Sequence, residues 1–277
     1  MAQLVVNGLS LGSIYALVAL GLLLIFNTVQ IVNFAQGQLL MLGAFIGISG
    51  AVTHELPVAT AWIITTVAMA FIGIVFMVLV YFPLRGRPPF LVILTTIAMG
   101  IVLENLALII WGPLPVSMPS PVHGAPLRLA GVVISMHQIF IFVTLAVILL
   151  LQFLLLTKTR FGILMQATAQ DLHTARLVGI PVNRTIAVAF AFGAILSGIA
   201  GLLVAPIFLA EPTMGGSLGL KGFVVSVIGG LFLGLIETFG ARYISSNFRD
   251  AYAFIVMIAV LVAWPRGLFG EKSSEKV

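Results

Sequence analysis

Residues 4–26 read LVVNGLSLGSIYALVALGLLLIF, an apolar run with no acidic or basic side chain. Its length is close to the ~20 residues that carry a helix across the hydrocarbon core of a bilayer. The rest of the chain repeats the pattern. Of 277 residues, 61% are hydrophobic and 8% are charged, against about 25% charged in a soluble domain, and the mean hydropathy is +1.24. So few charges cannot cover a water-exposed surface, so lipid must replace water around most of the molecule. Barrel strands would give alternating segments of about ten residues, and none is visible. Helices satisfy their own backbone groups, as hydrocarbon demands. The expected fold is an all-α integral membrane protein.

Working outward from that run gives about eight membrane segments: Leu4–Phe26, Asn33–Val52, Val58–Phe82, Phe90–Trp111, His137–Leu156, Thr185–Leu209, Gly222–Phe239 and Phe248–Trp264. Residues 1–277 form one membrane domain, because the connections are too short to fold alone. No cleavable signal peptide is expected, since residues 1–26 lack a basic start and run on as a full span. The chain has no cysteine, which excludes disulfide and thiol chemistry. Its 13 Lys+Arg against 8 Asp+Glu are read as a mark of cytoplasmic loops rather than of nucleic-acid binding.

Nine of those 13 cations sit in three places: Arg85 and Arg87; Lys158, Arg160, Arg176 and Arg184 within residues 157–184; and Arg266, Lys272 and Lys276 in the tail, residues 265–277. The positive-inside rule makes these regions cytoplasmic. The Pro-rich connection 112–136 and the connection 210–221 then face outside, as does the N-terminus. An external Lys221 and a cytoplasmic Arg266 require an odd number of crossings, while two segments lie between them. The glycine-rich stretch Gly222–Phe239 resolves this as a re-entrant hairpin or a broken pair of half-helices; the alternative is one ordinary helix with the tail outside.

Residues 157–184 read TKTRFGILMQATAQDLHTARLVGIPVNR. Ile163, Leu164, Ala167, Ala175, Leu177 and Val178 form an apolar stripe. One short helix is expected to begin at Gln166-Ala-Thr-Ala-Gln-Asp171 and another over Leu172–Val178, with Gly179 as C-cap and Pro181 just beyond. An amphipathic helix outside the bilayer needs a surface to cover its apolar side. The membrane surface and a cytoplasmic partner both fit.

At this point the chain resembles the permease subunits of branched-chain (leucine/isoleucine/valine) amino acid ABC importers. The resemblance rests on Asn7-Gly-Leu-Ser-Leu-Gly-Ser-Ile-Tyr-Ala16 leading into Val32-Asn-Phe-Ala-Gln-Gly-Gln38, on Gln166–Asp171 with Ala175-Arg-Leu-Val-Gly-Ile180, and on Pro265-Arg-Gly-Leu-Phe-Gly270. It implies that residues 157–184 are a coupling segment seated in a groove of a cytoplasmic ATPase subunit, with Arg160, Gln166, Ala167, Thr168, Gln170, Asp171, Ala175, Arg176, Leu177 and Gly179 as its contact residues. It implies a second homologous permease, two cytoplasmic ATPase subunits, an external (periplasmic) substrate-binding protein and a bacterial-type inner membrane. No Walker A, HExxH or GxSxG sequence is present. The chain is therefore expected to bind no cofactor directly, to use ATP through its partners, and not to be an enzyme. Two departures from the family stand out. Its usual Asn-Phe-Ala-His-Gly-Glu reads Asn33-Phe-Ala-Gln-Gly-Gln38 here, and a Gly/Pro-containing stretch is missing between Gly230 and Leu231.

Polar groups inside spans are costly and often functional. Glu104, beside Asn105, is the carboxylate most central in a span, and it must be paired, hydrated or protonated. With Asn105, Asn33, Gln36 and Gln38 it makes a candidate translocation path, structural hydrogen bonding being the alternative role. Gly8 and Gly12 form a GxxxG pattern suited to close helix packing. The four histidines are scattered and suggest no metal site. The competing function is a secondary transporter or channel for small polar solutes such as urea or amides. Against it, the chain has no convincing internal repeat.

Overall fold

A computed structural model of the chain describes residues 1–122, 124–129, 132–228, 230–243 and 255–256. Its helices are α1 (Ala2–Val29), α2 (Gln36–Ile48), α3 (Val58–Phe76), α4 (Pro89–Trp111), α5 (Met136–Lys158), α6 (Arg160–Gln170), α7 (Leu172–Leu177), α8 (Val182–Val204), α9 (Met214–Ile228) and α10 (Gly230–Tyr243). Between α4 and α5, β1 (Leu127–Leu129) pairs antiparallel with β2 (Val132–Ile134). π-helical turns at Ser49–Thr53 and Met77–Tyr81 extend α2 and α3. With those extensions, six helices among the described residues are long and apolar enough to cross a membrane.

Each of the first six expected spans coincides with one of these six. The seventh, Gly222–Phe239, overlaps the end of α9 and most of α10. Helix α9 starts at Met214, so the connection expected over residues 210–221 is shorter than that. Similarly, α5 runs on to Lys158 and α8 begins at Val182, which trims the connection 157–184 at both ends. The eighth span, Phe248–Trp264, falls outside the described residues except for Ile255 and Val256, and the tail 265–277 lies wholly outside them.

The long apolar helices divide by exposure. Helices α1, α2 and α8 are mostly buried and form the centre, with Ile14, Leu17, Leu40, Phe45 and Leu202 in its core. On α1 the hydroxyls of Ser10, Ser13 and Thr28 are satisfied within the helix, donating to the carbonyls of Val6, Leu9 and Leu24. Helices α4 and α5 are mostly exposed and present Ile109, Ile101, Val143 and Phe153 outward. A largely apolar outer surface of this extent needs lipid or another apolar partner.

Two sets of contacts define the ends of the bundle. At one end Gln3 pairs with the backbone of Val133 in both directions at 2.9 Å, and Val116 and Ala210 exchange backbone hydrogen bonds of 2.9 and 2.8 Å. The N-terminus and both connections expected outside therefore share one end. At the other end Arg85, whose guanidinium stacks over Phe82 at 4.1 Å, donates to Asn183 Oδ1 at 2.9 Å. The cationic α3–α4 turn is thereby brought to the segment carrying α6 and α7.

Candidate functional site

Helix α2 begins inside the bundle rather than at its end. The Gln36 side-chain amide donates to Gly193 O at 2.9 Å and to Ser197 Oγ at 2.7 Å on α8. A Cβ on Gly21 of α1 would stand 2.6 Å from that same amide nitrogen. Gly21 precedes the end of α1 by eight residues, about 12 Å. Asn33, only 1% exposed, joins the cluster: its Nδ2 donates to Gln36 Oε1 at 3.2 Å, and its Oδ1 accepts from Ala35 N at 3.1 Å. Asn33 and Gln36 thus form one buried network, uncharged, at the positive end of the α2 dipole.

Gln38 points elsewhere. It faces α4, where a Cβ on Gly100 would meet its side chain at 3.3 Å, and its buried Oε1 has no hydrogen-bond partner among the described residues. Such an acceptor in a dry site costs about 1–3 kcal/mol, which a water or a donor on a passing solute would recover. Glu104 lies one turn beyond Gly100 on α4 and is half-buried, with no ion pair among the described residues. Asn105 is exposed and bonds only its own helix, through Ile101 O at 2.8 Å. The five residues grouped in the sequence as one path therefore divide into a buried pair, Gln38 at the α4 contact, and two residues on α4, one of which faces outward.

Gly8 and Gly12 pack on α10. A Cβ on Gly8 would stand 2.9 Å from Gly234 O, and a Cβ on Gly234 would stand 2.6 Å from Gly12 Cα. This contact brings together a charged group that spacing along the chain does not suggest. Lys221 Nζ lies 3.2 Å from Glu237 Oε1, with side chains 8% and 0% exposed, and Tyr15 Oη donates to Glu237 Oε2 at 3.0 Å. Sixteen residues of continuous helix would separate the two by about 24 Å, so α9 and α10 fold back on one another. Lys221, expected in an external loop, is a core residue because Glu237 neutralises it.

The connection between α5 and α8 is built from two capped helices. Thr159 caps α6 by accepting from Gly162 N, and Asp171 caps α7 by accepting from His173 N at 2.7 Å and Thr174 N at 3.2 Å. The Thr174 hydroxyl also donates to Asp171 Oδ2 at 2.9 Å. That hydroxyl first, then the Thr174 and His173 amides, hold the Asp171 carboxyl below its ordinary value. Gly179 takes φ +84°, the left-handed C-terminal position.

The face that α6 buries differs from the apolar stripe read from sequence. Gly162, Met165 and Thr168 point inward, while Ile163 is 66% exposed. Thr168 tolerates burial because its hydroxyl donates to Leu164 O. Ala167 is half-buried, and Arg160, Gln166 and Gln170 are exposed; Ala175 anchors α7 at 3% exposure. Arg176 is exposed, and Leu177 and Val178 stand out at 75% and 71%.

A family model described as the permease component of branched-chain amino acid transport systems matches residues 4–263. BraD of Pseudomonas aeruginosa, a high-affinity branched-chain amino acid transport permease, is 31% identical over 299 aligned residues, covering 99% of this chain and 97% of BraD. LivH of Salmonella typhimurium, of the same description, is 29% identical over 302, with the same coverage. The probable LivH of Methanocaldococcus jannaschii is 24% identical over 284, covering 93% of this chain and 89% of its own. The longest of these alignments exceeds the 277 residues of the chain, so the relatives carry residues that it lacks. No solved structure matches it. With six apolar spans among its described residues and a family match over nearly its whole length, the chain belongs to the permease components of branched-chain amino acid transport systems.

Proposed function

We propose that this chain is the membrane-spanning subunit of an ATP-driven importer for branched-chain or related small amino acids. It works in the inner membrane with a second, homologous permease subunit, two cytoplasmic ATPase subunits and an external binding protein. Cargo passes by alternating access. The chain supplies the passage, and ATP is hydrolysed by its partners.

The observation that carries this reading is the surface of α6 and α7. Their caps and the buried Ala175 and Met165 hold them against the bundle, yet Leu177 and Val178 project beside Arg176. A rigid helical segment with a bare aliphatic tip and a cation is suited to a groove on another protein. Burying one such side chain stabilises a contact by about 1.5–3 kcal/mol. The buried amides of Asn33 and Gln36 and the unmatched acceptor of Gln38 support an uncharged route, along which a zwitterion meets donors and acceptors without a fixed ion.

The test begins with the tagged chain in mild detergent. Co-purification of an ATPase subunit and a second permease, with ATP-dependent leucine uptake after reconstitution with the binding protein, supports the proposal. A chain that purifies alone and moves solute in liposomes without ATP is instead a channel or secondary transporter. Leu177→Asp is expected to lower binding of the ATPase subunit by about ten- to a hundredfold while leaving thermal stability of the permease unchanged.

A further inference from the structure

A cavity of ≈ 510 Å³ opens between the first half of α1, the start of α5, the α8–α9 connection and the end of α10. It lies at the end of the bundle that holds the Val116–Ala210 bridge, away from α6 and α7. The volume falls within the roughly 300–1,000 Å³ of small-molecule sites. Its wall is chemically divided. Leu11 and Ile207 supply an apolar side; Asn7, Gln138, Thr238 and Arg242 supply a polar one.

The polar groups are oriented. Asn7 Oδ1 accepts from Gln138 Nε2 at 2.9 Å and from Gln3 Nε2 at 3.2 Å, which leaves the Asn7 Nδ2 donor for a ligand. Thr238 Oγ1 gives its proton to Gly234 O at 2.8 Å, so its lone pairs are acceptors toward the cavity. Arg242 is exposed and makes no ion pair among the described residues. A guanidinium at the rim suits a bidentate carboxylate. Tyr15 follows Leu11 by one turn on α1 and Glu237 precedes Thr238 on α10, so the buried ion pair is held by the same two helices that wall the cavity.

We propose that this cavity is an outer docking site for a zwitterionic amino acid with an aliphatic side chain. Arg242 and the Asn7 amide hold the carboxylate, Thr238 accepts from the ammonium, and Leu11 and Ile207 receive the side chain. The site holds cargo between its release from the binding protein and its entry into the amide-lined route, and it rests on the importer reading above.

The test uses the assembled importer in liposomes with its binding protein and radiolabelled leucine. Arg242→Gln lowers uptake by about tenfold or more, the scale of one charged hydrogen bond. Arg242→Lys recovers part of the loss, and Ala241→Trp, which fills the cavity, blocks uptake. Co-purification of the ATPase subunit and the second permease stays near the unmodified level in all three. Unchanged uptake in Arg242→Gln and Ala241→Trp overturns the docking site and leaves the importer reading standing. Loss of uptake together with loss of co-purification in every variant assigns these positions to assembly and overturns it as well. Absence of ATP-dependent uptake in the unmodified assembly overturns the importer reading itself.

Discussion

At the residue scale, single atoms decide which helices can meet. The α1–α10 contact passes through Gly8, Gly12 and Gly234 with no room for a side chain between them. Gly234→Val is therefore expected to cost about 1–3 kcal/mol, the usual penalty of overpacking, read as a lower midpoint in thermal unfolding followed by size exclusion. Asp171 governs the first turn of α7. Its folded pKa is depressed by the bonds from Thr174 and His173, so its contribution is complete above the unfolded value of about 3.9 and fades as pH falls through the folded value. Hydrogen-exchange protection of the His173 and Thr174 amides should follow that course in the native chain. In Asp171→Asn it should be weaker at neutral pH and lack the acidic step; protection equal to the native chain's at neutral pH would sink the capping argument.

At the element scale, the α9–α10 pair shows how a charge is carried into an apolar core. Removing one partner of a buried pair leaves the other uncompensated and costs about 3–5 kcal/mol, whereas replacing both with apolar groups of similar size is near neutral. Glu237→Leu alone should sharply reduce the yield of folded permease, and Lys221→Met with Glu237→Leu should recover it. Equal loss in the single and double variants would point to a requirement for the charges themselves. The sequence makes the long helices legible because their apolar runs are unbroken, and Gly222–Phe239 is legible as irregular from its glycines. It conceals the Lys221–Glu237 contact, since partners sixteen residues apart meet only through a reversal of the chain. The buried face of α6 is concealed for a different reason: a tally of apolar side chains passes over Thr168, whose hydroxyl is satisfied by its own helix, and includes Ile163, which faces out.

At the scale of the whole molecule, the absence of cysteine turns sidedness into a clean measurement. A single cysteine at Leu114, 75% exposed near the Val116–Ala210 bridge, should react with a membrane-impermeant maleimide added to intact spheroplasts. One at Leu177 should react only after the membrane is opened. The opposite result would invert the molecule and move α6 and α7 away from ATP. The candidate site divides along the same scale. The amides of Asn33 and Gln36 can be found locally because polar groups in an apolar run are conspicuous. The Arg242 cavity cannot, because its walls come from four separated stretches of chain, each unremarkable alone.

The paired backbone bonds between Val116 and Ala210, with Gln3 clasping Val133, bear on how such a molecule can move. They join the chain's beginning, the α4–α5 connection and the α8–α9 connection into a single rim. A rim stitched in this way behaves as a lid frame rather than as a set of independent flaps. Opening toward the outside would then tilt the frame as a whole, with its pivot near the buried start of α2, where the ladder of helical hydrogen bonds is interrupted. Under the coupling role proposed above, thrust at α6 and α7 would reach the far side of the membrane as rotation of one stiff body, not as a wave of local unfolding.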